Sequence, residues 1–170
     1  VNALTAAIGI RQRSGLPVAR WDHARLDEGG GWKSNFMKVE QFMTTDLYTV
    51  HEDEPLDLVA SLMEWERIRH VLVEDPEGRL IGLVSYRSLL RLMARGELPG
   101  EGGQRPVSEL MTRDPVTVGP ETPTLESIKL MRREGVGCLP VVKDDRLVGI
   151  VTERDLMNLA SELLEDKLDE

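Results

Sequence analysis

Thr152 and Asp155 stand three residues apart in the run Gly149-Ile150-Val151-Thr152-Glu153-Arg154-Asp155, where an apolar stretch gives way to a polar one. Two chemistries suit that spacing. A threonine and an acid so placed can close a capping box, the hydroxyl taking the amide three residues on and the acid reaching back. The same carboxylate, at the opening of a helix, can also accept hydrogen bonds from two hydroxyls of a ligand. The threonine hydroxyl can then reach a phosphate oxygen that helix N–H groups also face. The segment alone does not choose, and the two readings are compatible. No set of side chains for covalent catalysis accompanies it. His23, His51 and His70 sit in unrelated contexts, so no nucleophile has an evident base. No Cys/His cluster has zinc spacing, and neither G-x-x-x-x-G-K-[ST] nor G-x-G-x-x-G occurs. The acidic pair Asp144–Asp145 falls in an expected turn, where carboxylates are usually just solvated.

The elements that position Thr152 and Asp155 occur twice. VEQFMTTDLYTVHEDEP (Val39 to Pro55) returns as VSELMTRDPVTVGPETP (Val107 to Pro123) at a constant offset of 68. Met63, Glu66 and Val73 match Met131, Glu134 and Val141, and then the offset drops to 67, so that RLIGLVSYRSLL (Arg79 to Leu90) matches RLVGIVTERDLM (Arg146 to Met157). Solenoid periods run about 20–50 residues. A unit of this length reads instead as a small α/β piece that needs its twin to complete a core, with a cleft between the two.

Composition bounds the partners. The 170 residues, 41% apolar and 30% charged, suit a soluble chain of one domain or two fused halves. No apolar run approaches the roughly 20 residues of a membrane helix. The opening VNALTAAIGIRQRSG places its basic residues after its apolar ones, the reverse of a secretory leader. Cys138 is the single cysteine, so a reducing cytoplasm is the expected compartment. A net charge of −9 argues against nucleic acid and anionic lipid as partners. A phosphate ester would need a local cation or a helix N-terminus to override that field. The chain opens on Val, as a cut piece of something longer would, although tag removal or processing gives the same start.

Residues 1–36 stand apart as a linker or partner segment. A short helix is expected over Ala3–Arg13, followed by breakers at Gly15, Pro17 and Gly29–Gly31. Trp21 and Trp32 suit a staple onto the core, or a partner-facing role. The first repeat spans 37–96, a glycine-rich linker 97–105, the second repeat 106–165 and an acidic tail 166–170. Each repeat reads β-α-β-β-α. Strands end at Thr49–Val50 and Thr117–Val118. Helices open with Pro55 and Pro123 as first helical residues, Thr122 being a natural N-cap. Leu56, Val59, Ala60 and Met63, and Leu125, Ile128 and Met131, recur at helical spacing as the inner faces. Strands follow at Val71–Val73 and Leu139–Val142. After tight turns come Leu80–Val84 and Leu147–Val151, whose wholly apolar character predicts cover on both faces. Final helices are expected near Ser88–Arg95 and Glu153–Leu164.

The pattern M-T-x-D…T-V, a helix, an apolar strand and then R-L-h-G-h-V-[ST]-x-R (h apolar), present twice over residues 38–165, resembles the cystathionine-β-synthase (CBS) domain in tandem, a Bateman module. The resemblance implies an α/β (α+β) fold of two β-α-β-β-α units packed with pseudo-twofold symmetry. It implies a regulatory role, binding an adenine nucleotide or S-adenosylmethionine, and flat homodimers. The words WDHARLDE and GGWKSNF are also similar to the segment joining glutamate–cysteine-ligase-like carboxylate–amine ligases to C-terminal CBS pairs, which implies such an enzyme as the attached domain.

In that family [ST]-x-x-[DN] after the last strand holds ribose and phosphate, which assigns Thr152 and Asp155, with Arg154 between them. The first repeat has Ser88 in place of Asp155, and a neutral hydroxyl cannot hold a diol as a carboxylate can. One competent site is therefore expected. Family geometry supplies phosphate contacts from the opposite repeat, where Arg69 offers a permanent cation and His70 a titratable donor; the matching Val136-Gly137-Cys138 carries no charge. Arg69 reads equally as an exposed surface arginine, and His70 as a satisfied strand residue. The base is expected near Met111, Thr112 and Val116 and against Val136 and Ile150, whose side chains read as core on their own; Gly137 is counted among the expected ligand-binding residues as the uncharged counterpart of Arg69. Glycine ahead of the strand end would let a flat base approach the backbone. No metal is expected. The functional expectation is a sensor controlling an attached or partner enzyme, against a dimerisation scaffold that binds no metabolite. A free-standing enzyme is the least favoured reading.

Overall fold

Each repeat's opening segment joins the body of the other repeat, so the folded units are not the sequence repeats. The structure is a computed structural model that describes residues 10–13, 38–97 and 105–168. It divides into one unit built from Val1–Arg13 and Leu47–Pro115 and a second from Ser14–Asp46 and Val116–Glu170. Among the described residues the architecture is mixed α and β with four α-helices.

In the first unit a five-stranded sheet runs in the order β1 (Arg11–Arg13), β2 (Leu47–Val50), β3 (His70–Glu74), β4 (Leu80–Ser85) and β5 (Thr112–Arg113). β2 and β3 are parallel, with helix α1 (Leu56–Trp65) as their crossover, and the other neighbours are antiparallel. Helix α2 (Tyr86–Ala94) follows β4. Alternation sends Val71, Val73 and Val84 to one face, against Leu56, Val59, Leu62 and Met63 of α1 and Leu89 and Leu92 of α2. Each such side chain contributes about 1.5–3 kcal/mol by leaving water. The helix expected over Ala3–Arg13 is not present at Arg11–Arg13, which instead pair with Leu47–Thr49. Residues 1–9, Trp21, Trp32, the WDHARLDE and GGWKSNF words and linker residues 98–104 lie outside the described residues.

In the second unit β6 (Cys138–Lys143) and β7 (Arg146–Thr152) form an antiparallel hairpin, with helix α3 (Thr124–Glu134) before it and helix α4 (Glu153–Leu168) after it. Its two-residue turn uses Asp144 and Asp145 at φ 49° and 59°, the left-handed pair that a tight hairpin needs. Phe42, Val118, Met131, Leu139, Val141 and Val151 form the core. The strand expected at Thr117–Val118 contracts to one parallel bridge, Val118 with Val141. Pro140 stands where β3 has Leu72 and has no N–H to donate, so the ladder shortens there.

The helix starts differ by one residue from expectation. Pro55 and Pro123 are N-caps with extended ψ of 144° and 137°, so α1 and α3 begin one residue later. Antiparallel bridges from Pro55 to Pro106 and from Pro123 to Lys38 hold both prolines extended. Thr122 does not cap α3; its hydroxyl accepts from Gly119 N–H at 3.1 Å in the preceding turn. The inner faces also shift. Ala60 and Leu125 are exposed, while Leu58, Leu62, Thr124 and Ser127 are buried. Ser127 can be buried because its hydroxyl donates to Thr124 O at 2.7 Å.

Candidate functional site

The strand β7 ends at Thr152 and α4 begins at Glu153. Asp155 Oδ2 accepts from Thr152 N–H and from Thr152 Oγ1–H, both at 2.7 Å. Asp155 N–H donates back to Thr152 Oγ1 at 3.4 Å. The capping box is therefore formed, and its carboxylate also sits where the helix dipole favours negative charge. The second oxygen, Oδ1, faces elsewhere and accepts from Thr44 Oγ1–H at 3.3 Å. A carboxylate has about four acceptor positions. Three are engaged, and those on Oδ1 are the ones with room for a further donor.

Thr44 reaches Asp155 through the segment exchange. Thr44 and Ile150 bridge antiparallel, with Thr44 N–H to Ile150 O and Ile150 N–H to Thr44 O both at 2.9 Å. Neither Met43 nor Thr44 figures in the sequence-based site. The repeat itself carried the signal, because Met43–Thr44 and Met111–Thr112 are the same word. The expectation had placed Met111 and Thr112 with Asp155. They belong to the first unit, where Thr112 pairs with Leu83. An opening segment docks on the other repeat's last strand, so each M-T pair serves the partner repeat's glycine.

That docking also changes the reading of the glycine. A Cβ built on Gly149 would lie 2.6 Å from Met43 Sδ and 3.2 Å from Thr44 O. One on Gly82 would lie 2.5 Å from Met111 Sδ. Both glycines thus admit a methionine side chain, where a ligand base had been expected against the backbone.

The remaining expected residues divide by unit. Val116 and Val136 pack against the second unit's core, and Ile150 is buried there. Gly137 O accepts from Glu153 N–H at 3.1 Å, which ties β6 to the start of α4. Arg154 is exposed, as is its repeat mate Arg87. Arg69 and His70 lie in the first unit, Arg69 exposed and His70 half-buried at the start of β3. Arg69 O accepts from Tyr86 N–H at 2.8 Å, the counterpart of Gly137 O with Glu153 N–H.

The first unit's version of the corner is a serine pair. Ser85 N–H donates to Ser88 Oγ and Ser88 N–H to Ser85 Oγ, both at 3.1 Å. The single Ser88 proton goes to Ser85 O at 2.6 Å. This corner caps α2 with neutral groups and offers no anion. Beside the acidic corner, Cys138 pairs with Thr152 across the hairpin. Burial first, and the Glu153 charge second, push its thiol up to about 12, so it stays protonated. Among the described residues no group of three or more His, Cys, Asp and Glu is placed to hold a metal ion. No helix among them is long and apolar enough to cross a membrane.

Comparison with known proteins finds chains of similar sequence and fold. A CBS domain-containing protein of Dictyostelium discoideum is 35% identical over 135 residues, 75% of this chain and 93% of that protein. The crystal structure named as a putative acetoin utilization protein of Vibrio cholerae superposes with a TM-score of 0.69 at 36% identity, covering 78% of this chain and 97% of that one. The structure of CBSX2 in complex with AMP superposes at 0.66 and 27% identity, covering 75% and 98%. Other relatives are far longer: the A-adding tRNA nucleotidyltransferase of Aquifex aeolicus is 30% identical over 76% of this chain, which spans only 15% of that enzyme. The family model for the CBS domain matches residues 39–95 and again 107–162. The chain therefore belongs to the CBS-domain family and carries a tandem pair of CBS domains.

Proposed function

We propose that this pair is a cytoplasmic regulatory sensor that binds an adenosyl ligand, AMP, ADP, ATP or S-adenosylmethionine, and controls an attached or partner enzyme. The observation that carries this reading is the three-group corner of Thr44, Thr152 and Asp155. Oδ1 of Asp155 is held by one hydroxyl at 3.3 Å, a loose contact that a ribose diol can replace. Thr44 and Thr152 then supply hydroxyls for the sugar's phosphate or sulfonium arm. The AMP complex of CBSX2 supports the ligand class. Arg69 and His70 remain the phosphate partners of the proposal, with Arg154 at the corner's rim. The serine corner of the first unit lacks the anion and takes no ribose in this reading. The WDHARLDE and GGWKSNF words favour a carboxylate–amine ligase as the attached enzyme. A reading frame continuing upstream of Val1 into a ligase domain would support that.

Binding can regulate only through different affinities for two arrangements of the protein. Calorimetric titration with the four ligands tests the claim. We expect at least one to bind below about 1 mM, with Arg69→Ala weakening a nucleotide and Ser88→Ala leaving it unchanged. Binding by none of the four, or equal effects of Ser88→Ala and Asp155→Ala, refutes it. One observation favours a second reading. The capping box already occupies Oδ2 within the chain, as a pure scaffold would need. A scaffold would show no rise in melting midpoint with any adenosyl ligand, whereas a sensor would.

A further inference from the structure

Met37 apart, the seven methionines lie among the described residues, and burial sorts them. Met93 and Met157 are 55% and 70% exposed on helix surfaces. Met63, Met111 and Met131 are buried. Among these residues only Met43 is half-buried. It packs against the second unit's apolar core with its sulfur over Gly149. The next residue, Thr44, makes both backbone hydrogen bonds to Ile150 and donates its hydroxyl to Asp155. One thioether thus sits at the joint that docks the opening segment on β7. Its surroundings suit a thioether and nothing more polar. The atoms nearest to a Cβ built on Gly149 are Met43 Sδ, Met43 Cγ and Thr44 O, with no N–H or O–H donor among them. Thr44 O is itself an acceptor, already engaged by Ile150 N–H. An oxygen added to the sulfur would set an acceptor against an acceptor in a contact with no room for a further heavy atom.

We propose that Met43 is a site of reversible oxidation by a peroxide, and that its sulfoxide undocks the opening segment from β7. The sulfur gives an electron pair to one peroxide oxygen, the O–O bond breaks, and with hydrogen peroxide the other oxygen leaves as water. The sulfur is oxidised by two electrons and the peroxide reduced by two. A thiol-dependent methionine sulfoxide reductase reverses the step: two thiols become a disulfide and the sulfoxide oxygen leaves as water. The repeat supplies its own contrast. Met111 lies over Gly82 as Met43 lies over Gly149, but it is buried at 8% exposure, so peroxide reaches it only when the first unit opens. The unit that carries the acidic corner therefore also carries the reachable sulfur. Undocking acts on the backbone bridge of Thr44 and Ile150 whatever the corner binds.

Timed treatment of the full chain with hydrogen peroxide tests this, each methionine being followed by peptide mass spectrometry. Met93 and Met157 should oxidise first and leave the melting midpoint unchanged. Met43 should follow, and Met63, Met111 and Met131 should lag behind it about tenfold or more in rate. As Met43 oxidises, the midpoint should fall by about 4 °C, and protection of the Thr44 and Ile150 amides from hydrogen exchange should drop about tenfold. Reductase with a thiol should restore both. Met43→Leu, close in volume, should hold its midpoint through the same treatment, whereas Met111→Leu should lose it as the wild type does. Oxidation of Met43 no faster than that of Met111 overturns the proposal. So does complete Met43 sulfoxide with unchanged amide protection, or a Met43→Leu chain whose midpoint falls like the wild type's. The oxidation rates and amide protection are read on the unaltered chain, so the outcome does not hang on the folding of a variant.

Discussion

Asp155→Asn separates the two uses of the acidic corner, because asparagine keeps an acceptor and loses the charge. Capping needs one oxygen to take Thr152 N–H, which asparagine can do, so the ligand-free melt should change by less than about 0.5 kcal/mol. Asp155→Ala removes that acceptor and leaves a half-buried amide unpartnered, costing about 1 kcal/mol. For a chain of this size that lowers the midpoint by about 2–4 °C. Ligand binding scales differently. A hydroxyl donating to a charged acceptor contributes about 1.5–3 kcal/mol, against about 0.5–1.5 for a neutral one. Asparagine should therefore weaken an adenosyl ligand about tenfold, and alanine about 10- to 100-fold or more. The assay is calorimetric titration on both variants, paired with melts with and without ligand. The informative result is an asparagine variant that melts like wild type when empty yet loses most of the ligand-induced rise. If asparagine binds as tightly as aspartate, the carboxylate is a cap alone and the sensor reading fails with it.

Three further outcomes follow from the packing and the titrating groups. Gly149→Ala should destabilise the second unit by about 1–3 kcal/mol by overpacking, since its methyl would meet Met43 Sδ and Thr44 O; the double variant Gly149→Ala, Met43→Ala should recover part of this in chemical denaturation. Burial pushes the Asp75 carboxyl up, but hydrogen bonds from Arg79 N–H and its side chain, with the Arg79 charge, outweigh that and hold it below 3.8. A depressed folded value gives stability that is present above pH 3.8 and is lost as the pH falls through the folded pKa. Asp75→Asn should therefore melt lower than wild type at neutral pH and converge with it in acid. With its thiol at about 12, Cys138 should react with a disulfide reagent at pH 8 only as fast as the second unit opens, and at full speed in denaturant.

The internal repeat made the elements legible, because each copy tests the reading of the other. β3, β4, β6, β7 and all four helices fall where the doubled pattern sets them. The hairpin turns were legible for a local reason: an Asp pair or a Gly78 at φ 80° can adopt the left-handed backbone that a tight reversal requires. The errors lie where a distant segment decides. Helical spacing admits Ala60 and Leu125 as inner residues as readily as Leu58 and Ser127, and only the packed partner selects among them. The prolines read as first helical residues until the bridges from Pro106 and Lys38 fix them as extended caps. β1 was read as helix because three residues are too few to show an alternation.

The exchange of opening segments was the decisive feature hidden from local reading, and it explains why M-T and G recur together. Met111 lies over Gly82, and Met43 over Gly149, each pair joining residues from different repeats. A methionine conforms to a shallow site, and a glycine leaves one on the strand. Both recur in each copy, the methionine at an offset of 68 and the glycine at 67. The same docking delivers Thr44 to Asp155 in the second unit and Thr112 to Leu83 in the first. Chemistry at the corner therefore depends on which repeat carries the acid, not on which carries the threonine. Exchanging the two residues, by Ser88→Asp with Asp155→Ser in one chain, should move an adenosyl ligand's requirement from Thr44 to Thr112. Retained dependence on Thr44 would show that the threonine acts on the backbone bridge alone.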